Sequence, residues 1–473
     1  MNSPVGQISK SVHSSHWIIT ALTILAVSGC DASEPSKTSF TYPPFQHTWG
    51  VVRARPFHLR LFLGNQVHFD DPQGLACVRL DSWEAGSKTA DDDDEVTVYG
   101  VNSGENCIVY NRSMYALGVF GLEIGQPRLD RPWGITADRT GKVYVADRGT
   151  SRVLRLQNDG QSLRYLGSIG APGDSLGEFL DPRGVALIAD GRVFVTDAAL
   201  DRVTVLDEAG KALTMWEGLN GPDGIAATGP GEVDSYYPQD AFVVVIDSAN
   251  RRVSKFSLDG VLLARTTTAS WGARLTANLS YCVLDYYNQV LLTDRSNGCI
   301  HKLDRNLNYL CAFGETGKDD YQFDEPRGIA LYRKFGQVFI AEREGAQYLW
   351  VGVDVVDFRA RVSSDSGSHE VKFEFRTTEP AFVDLDLYDR FDRFILRIAS
   401  KRRCQAGVNS ISWQSRIPET LPDGAPLVNL PKPVVVGEWL PGGEYRVKGS
   451  FSATYSSREH FRVEREAEFK VPR

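Results

Sequence analysis

The chain has 473 residues, 42% apolar and 24% charged, with 43 glycines, 3 methionines and a formal net charge of -8. That length exceeds one ordinary core, so two globular units behind a leader are expected, and the composition excludes a disordered chain or a helical bundle in favour of a loop-rich β protein. The acidic balance excludes a general binder of nucleic acid or of anionic membranes, because counterion release requires a basic surface; any anion site must be local.

The first 30 residues carry Lys10, then an apolar run from Trp17 to Val27, then Ser28-Gly29-Cys30. The run is too short to span a bilayer comfortably and reads as a secretory signal. Val27-Ser28-Gly29-Cys30 resembles the bacterial lipobox. The resemblance implies that Cys30 is diacylated and begins the mature chain, which places it in the bacterial envelope, anchored to a membrane and facing the periplasm or the exterior. An ordinary signal peptide with an incidental Cys is the other reading. Residues 31–46, rich in Ser, Thr and Pro and without a period, are expected to form a flexible tether.

An internal repeat then governs the reading. Its clearest copy is Pro132-Trp133-Gly134-Ile135, a turn at Gly141, Val143-Tyr144-Val145-Ala146-Asp147, then Arg152-Val153-Leu154. The frame returns at Pro182-Arg183-Gly184 with Asp197 and Arg202, and at Pro222-Asp223-Gly224 with Asp247 and Arg252. It decays at Pro72-Gln73-Gly74 with Asn102 and Cys107, around Cys282 with Asp294 and Cys299, and at Pro326-Arg327-Gly328 with Glu342 and Gln347. Positions 102, 147, 197, 247, 294 and 342 mark a period the size of one four-stranded blade, so six units close a ring. These copies resemble the NHL repeat. The expectation is an all-β chain: a six-bladed NHL-type β-propeller over 47–353, followed by an Ig-like β-sandwich over 354–473.

The sixth copy lacks a fourth strand, and Phe57-His58-Leu59-Arg60-Leu61-Phe62-Leu63-Gly64 is expected to supply it, removing an exposed edge. The repeated Gly is expected to permit a tight turn, and the Asp147/Arg152, Asp197/Arg202 and Asp247/Arg252 pairs to brace a short loop. From Asp354 the alternation changes, through Val371-Lys372-Phe373 and Phe382-Val383-Asp384-Leu385 to Gly443-Glu444-Tyr445. The motif order resembles the Ig-like domain of flagellar hook-capping proteins, which implies a spacer or adhesive module. Cys77 with Cys107, and Cys282 with Cys299, occur together in two copies and are absent from the others, which suggests a disulfide within each blade; buried free thiols are the alternative.

The residue between Pro and Gly points at the channel mouth, giving Gln73, Trp133, Arg183, Asp223 and Arg327; the residue after the repeated acid adds Arg148, Arg295 and Arg343. Five Arg around one Trp form a local basic mouth for an anionic ligand, with Trp133 as a stacking platform. Asp223 is the only acid placed there. His58, His68 and His301 do not converge as a metal set, and Asp91-Asp92-Asp93-Asp94-Glu95 lacks the spacing of a calcium loop, so no metal or cofactor is expected. The expected function is non-enzymatic recognition of a peptide, protein or anionic glycan in the envelope, without nucleic acid. The alternative is an extracytoplasmic metal-dependent lyase or hydrolase using the propeller channel.

Overall fold

The computed structural model describes residues 35–48, 51–84, 96–113, 116–249, 251–272, 276–365, 368–422, 424, 427, 429–455 and 461–472. Cys30 and the acidic run 91–95 lie outside the described residues. Short alternating strands of β-branched and aromatic residues, broken by Gly and Asp turns, form the four-stranded antiparallel blades. Blade 2 is representative: Pro132–Ala137 innermost, then Lys142–Asp147, Arg152–Asn158 and Leu163–Ile169 outermost. The other inner strands are Pro72–Val78, Pro182–Leu187, Pro222–Thr228, Leu279–Leu284 and Ile329–Tyr332, and each neighbours the next around a closed ring of six blades.

Neighbouring blades fill each other's hollows. Small and branched residues of neighbouring inner strands share one core: Ala76 with Ile135, Ala186 with Ile225. The repeated glycines serve the convergence of the inner strands. None of Gly74, Gly134, Gly184, Gly224 and Gly328 has a positive φ, so the expected turn is not their reason. A Cβ on Gly134 would lie 2.2 Å from the Arg183 carbonyl oxygen, and one on Gly328 would lie 2.1 Å from that of Gln73. Only glycine lets the backbones approach so closely.

The ring closes differently from the expectation. Residues 57–64 are not a strand: Pro56–Leu63 is an α-helix, with Pro at its first position, Gly64 at φ 67 ending it, and His58 Nδ1 accepting the Arg55 backbone N–H at 3.0 Å. The sequence alternation there fitted either period. Blade 6, Ile329–Tyr332, Gln337–Glu342 and Gly345–Val351, is instead completed by Phe40–Thr41 and Arg53–Ala54, both antiparallel to Gly345–Val351.

The described part of the expected tether is therefore structure. Phe40 is 1% exposed and packs edge-on against Phe313 at 5.1 Å, a burial that contributes about 2 kcal/mol. Ser36 Oγ and the Lys37 N–H donate to Asp354 at 2.8 and 2.9 Å, and Thr38 donates to the Val353 carbonyl. The polar residues that resembled linker composition cap the seam between the propeller and the second domain.

That domain has a three-stranded antiparallel sheet, Val355–Asp365, Ser368–Thr377 and Gly407–Trp413. A four-stranded sheet orders Phe394–Cys404, Ala381–Asp389, Gly443–Ala453 and Arg462–Val471. Phe373, Leu385, Val447 and Phe451 fill the core, which continues without a break into Leu349, Phe313 and Phe40 of the propeller. The seam is a packed joint.

No disulfide joins Cys77 to Cys107 or Cys282 to Cys299. Cys77 stands opposite Val98 and Cys107 opposite Asn102 on the intervening strand, so the two are offset along the blade as well as two strand spacings apart. Cys282 and Cys299 face Leu292 and Asp294 of their own middle strand and are separated in the same way. Burial pushes the Cys107 thiol up to about 12.

Candidate functional site

The acid or amide ending each second strand has one job in every blade: its side chain accepts backbone N–H groups from the loop that leads into the inner strand. Asn102 takes Asp70 N–H, Asp147 takes Asp130, Asp247 takes Asn220, Asp294 takes Asn278 and Glu342 takes Asp324, all at 2.8–3.0 Å. Asp197 takes both Leu180 and Asp181. These six fix the level at which the mouth residues stand. The expected Asp–Arg brace holds for Arg152 on Asp147 and for Arg252 on Asp247. It fails for Arg202, which donates to the carbonyls of Asp174, Ser175 and Glu178. In blade 5, His301 Nε2 takes the arginine's place 3.1 Å from Asp294. Cys299 stands beside that pair, so that oxygen, sulfur and nitrogen lie within 4.8 Å of one another, all buried, in the one group of metal-ligating type among the described residues.

The mouth residues come together as the repeat implies, but not as a basic ring. Trp133 Nε1 donates to Asp223 Oδ1 at 3.2 Å, and Arg183 donates to Asp223 Oδ2 at 3.2 Å. Arg183 also pairs with Asp181 at 3.0 Å, and Asp181 pairs with Arg148 at 2.7 Å. The Arg148 guanidinium lies 4.5 Å from the centre of the Trp133 ring, so the expected stacking face is covered by the protein's own cation. On the other side Arg295 pairs with Glu325 at 3.0 Å, Arg343 with Asp324 at 2.9 Å, and Arg327 with both Asp71 and Glu325.

Five arginines are thus matched by Asp71, Asp181, Asp223, Asp324 and Glu325, and the expected basic mouth is corrected to a charge-balanced, interleaved one. Burial pushes the Asp223 carboxyl above the usual carboxylate range against the opposing pull of Arg183. Burial alone would depress the Arg183 guanidinium, yet Asp223 and Asp181 together hold it above its usual value. The asymmetry arises because Arg183 has two carboxylates while Asp223 is the more buried of the pair. The missed acids had a signal in the sequence: Asp71, Asp181 and Glu325 each immediately precede the repeat's Pro, at Pro72, Pro182 and Pro326.

A second missed residue closes the channel. Leu279-Ser280-Tyr281 occupies the Pro-x-Gly slot of blade 5, since Leu279 faces Asp294 as Pro132 faces Asp147. Tyr281 therefore stands where the other blades have Gly, and its side chain crosses to blades 1 and 2. Its hydroxyl donates to Gln73 Oε1 at 3.0 Å and lies 3.5 Å from the Trp133 carbonyl. Below this layer a cavity of about 580 Å³ runs between the inner strands, lined by Leu75, Ile135, Val185, Ile225, Cys282 and Ile329. It ends at the opposite face among Asp138, Arg139, Glu232, Asp234 and Arg333. Tyr281→Phe should cost about 1 kcal/mol, the loss of one buried hydrogen bond, while leaving the ring in the channel; a shift of the urea midpoint checks it.

The NHL repeat model matches residues 129–156, which contain blade 2's first two strands and most of its third. Among solved structures, virginiamycin B lyase from Staphylococcus aureus is 16% identical, with 54% of this chain and 76% of that chain covered and a TM-score of 0.38. A gluconolactonase from Xanthomonas campestris is 14% identical, covering 67% of this chain and 98% of that one at a TM-score of 0.41. The calcium-binding protein regucalcin from Agrobacterium tumefaciens is 11% identical, covering 60% and 91% at a TM-score of 0.40. At these identities no residue role passes from those proteins to this chain.

Proposed function

We propose that the protein is a non-catalytic recognition protein of the bacterial envelope, held at a membrane through lipid on Cys30, which docks a protein or peptide on the loop face around Trp133, Arg183 and Asp223. The observation that carries this reading is the interleaving of the five arginines with five acids above a channel closed by Tyr281. A closed, charge-balanced face gives a small anion or an anionic glycan little to bind. It suits a broad partner bearing both signs of charge, for which complementarity sets register and specificity. The second domain, packed on blades 5 and 6 through a shared core, acts as a brace for that face.

The test is a photo-reactive residue placed at Arg148 or Arg343 of the full chain in its host membrane. The expected result is one discrete cross-linked protein, lost from the Arg148 position when Arg295→Glu/Arg343→Glu is added. Absence of any adduct from both positions would sink the reading. The alternative, an extracytoplasmic lyase or hydrolase, is favoured by the 580 Å³ cavity and by Asp234, whose carboxyl burial holds above the usual range. It predicts a stoichiometric divalent ion by metal analysis and its loss in Asp234→Asn.

A further inference from the structure

The N-terminal segment of the propeller departs from the rest of the chain in charge. From Ser36 to Phe69 there is no Asp or Glu, while Lys37, Arg53, Arg55 and Arg60 are present, in a chain of net charge -8. The same segment turns large apolar side chains outward: Phe45 is 68% exposed, Val51 49%, Phe57 60%, Leu61 63% and Phe62 44%.

The Pro56–Leu63 helix concentrates them. Leu59, 5% exposed, seats it beside Ala116–Phe120, the outer strand of blade 1. Phe57 and Leu61, one turn apart, lie together on the far side, with Arg60 adjacent and exposed. A helix that serves only the propeller would present polar residues there.

Its position in the chain supplies the occupant. Arg53–Ala54, just before the helix, pairs with the same blade 6 strand as Phe40–Thr41, so both sit at one edge of the propeller. Ser36, already held at the seam, lies six positions after Cys30, a reach of at most about 21 Å fully extended. An acyl chain on Cys30 would therefore hold the bilayer within reach of this edge, and a single lipid attachment gains a stable hold when a basic or apolar contact is added.

We infer that the outer face of the Pro56–Leu63 helix, with Phe45 and Val51, is a membrane-contact surface that inserts Phe57, Leu61 and Phe62 among the headgroups of an anionic phospholipid bilayer while Arg55 and Arg60 pair with the phosphates. This rests on the envelope reading above, and it fixes the propeller's orientation: blades 6 and 1 lie against the membrane.

The described residues from Pro35 onward form one compact unit, so the un-acylated chain beginning at Asp31 serves as the probe. It should sediment with vesicles of phosphatidylcholine and phosphatidylglycerol at least tenfold more strongly than with phosphatidylcholine alone, and less so as salt rises. Phe57→Ser/Leu61→Ser/Phe62→Ser and, separately, Arg55→Glu/Arg60→Glu should each weaken that binding at least tenfold, with unchanged circular dichroism. Wild-type chain that ignores the anionic vesicles overturns the inference, as does a triple variant that binds like wild type. A wild-type dimer that the triple variant turns to monomer, without vesicle binding, assigns the face to a second copy and overturns it too. Failure here is separable from failure of the envelope reading, which is measured by membrane fractionation of the full chain with and without Cys30→Ala.

Discussion

Gly328→Ala should lower stability by about 3 kcal/mol, an overpacking effect at the upper end of those seen when a single methyl is forced into a filled space. The added Cβ would lie 2.1 Å from the Gln73 carbonyl oxygen and 2.8 Å from the Leu75 nitrogen, both backbone atoms. Neither can withdraw, because Gly74 beside them is itself wedged: a Cβ there would meet the Trp133 carbonyl oxygen at 2.6 Å. The strain falls where blade 6 meets blade 1, so it opposes closure of the ring. Gly100→Ala is the control, since its Cβ would meet the flexible end of Leu75 at 3.4 Å and the Val109 carbonyl oxygen at 3.8 Å, both ordinary contacts, and should cost less than about 1 kcal/mol. Urea midpoints of the two variants check the contrast; equal shifts would remove the close-approach account.

Lys302→Met should cost about 3–5 kcal/mol, the usual penalty for leaving buried charge without its partner. Lys302 is 1% exposed; it pairs with Glu379 and lies 3.8 Å from Asp285, and both carboxylates are fully buried. It stands on the third strand of blade 5, Cys299–Leu303, whereas Glu379 belongs to the turn between strands Ser368–Thr377 and Ala381–Asp389 of the second domain, so the pair clasps the seam. Without the ammonium, one carboxylate must take up a proton or the seam must open. Burial already holds the Asp285 carboxyl above the ordinary range. The native variant thus binds protons more readily than its unfolded chain, and its stability should rise as pH falls toward the carboxylate range. Removing Glu379 as well, Lys302→Met/Glu379→Leu, should recover only part of the loss, because Asp285 stays buried without a cation. Thermal melts between pH 5 and 8 test this; a single variant insensitive to pH would mean that the seam does not depend on the ion pair.

Periodicity along the chain determined the blades. The spacing from Asn102 to Glu342 counts six units because each blade is a local structure whose strands pair with their immediate successors, and local pairing leaves its period in the sequence. The Pro-x-Gly frame likewise brought Trp133, Arg183 and Asp223 to one mouth.

What lacked a local signature was decided only by tertiary structure. Phe40–Thr41 and Arg53–Ala54 are two-residue strands whose partner lies some three hundred residues away, and a strand that short has no period to read. Phe57 to Leu63 alternates as a strand would, yet Pro56 and Gly64 bound it as a helix, and blade 6 takes its outer pairing from Phe40–Thr41 and Arg53–Ala54. The charge of the mouth depended on which acids the loop geometry turned toward the arginines, and Asp71 reaches Arg327 only because the first blade adjoins the last. Sequence thus set the repeated unit, through interactions within each blade. The closure of the ring, the neutrality of its mouth and the seam with the second domain arise from contacts between residues far apart in the chain, whose complementarity exists only once the blades are assembled.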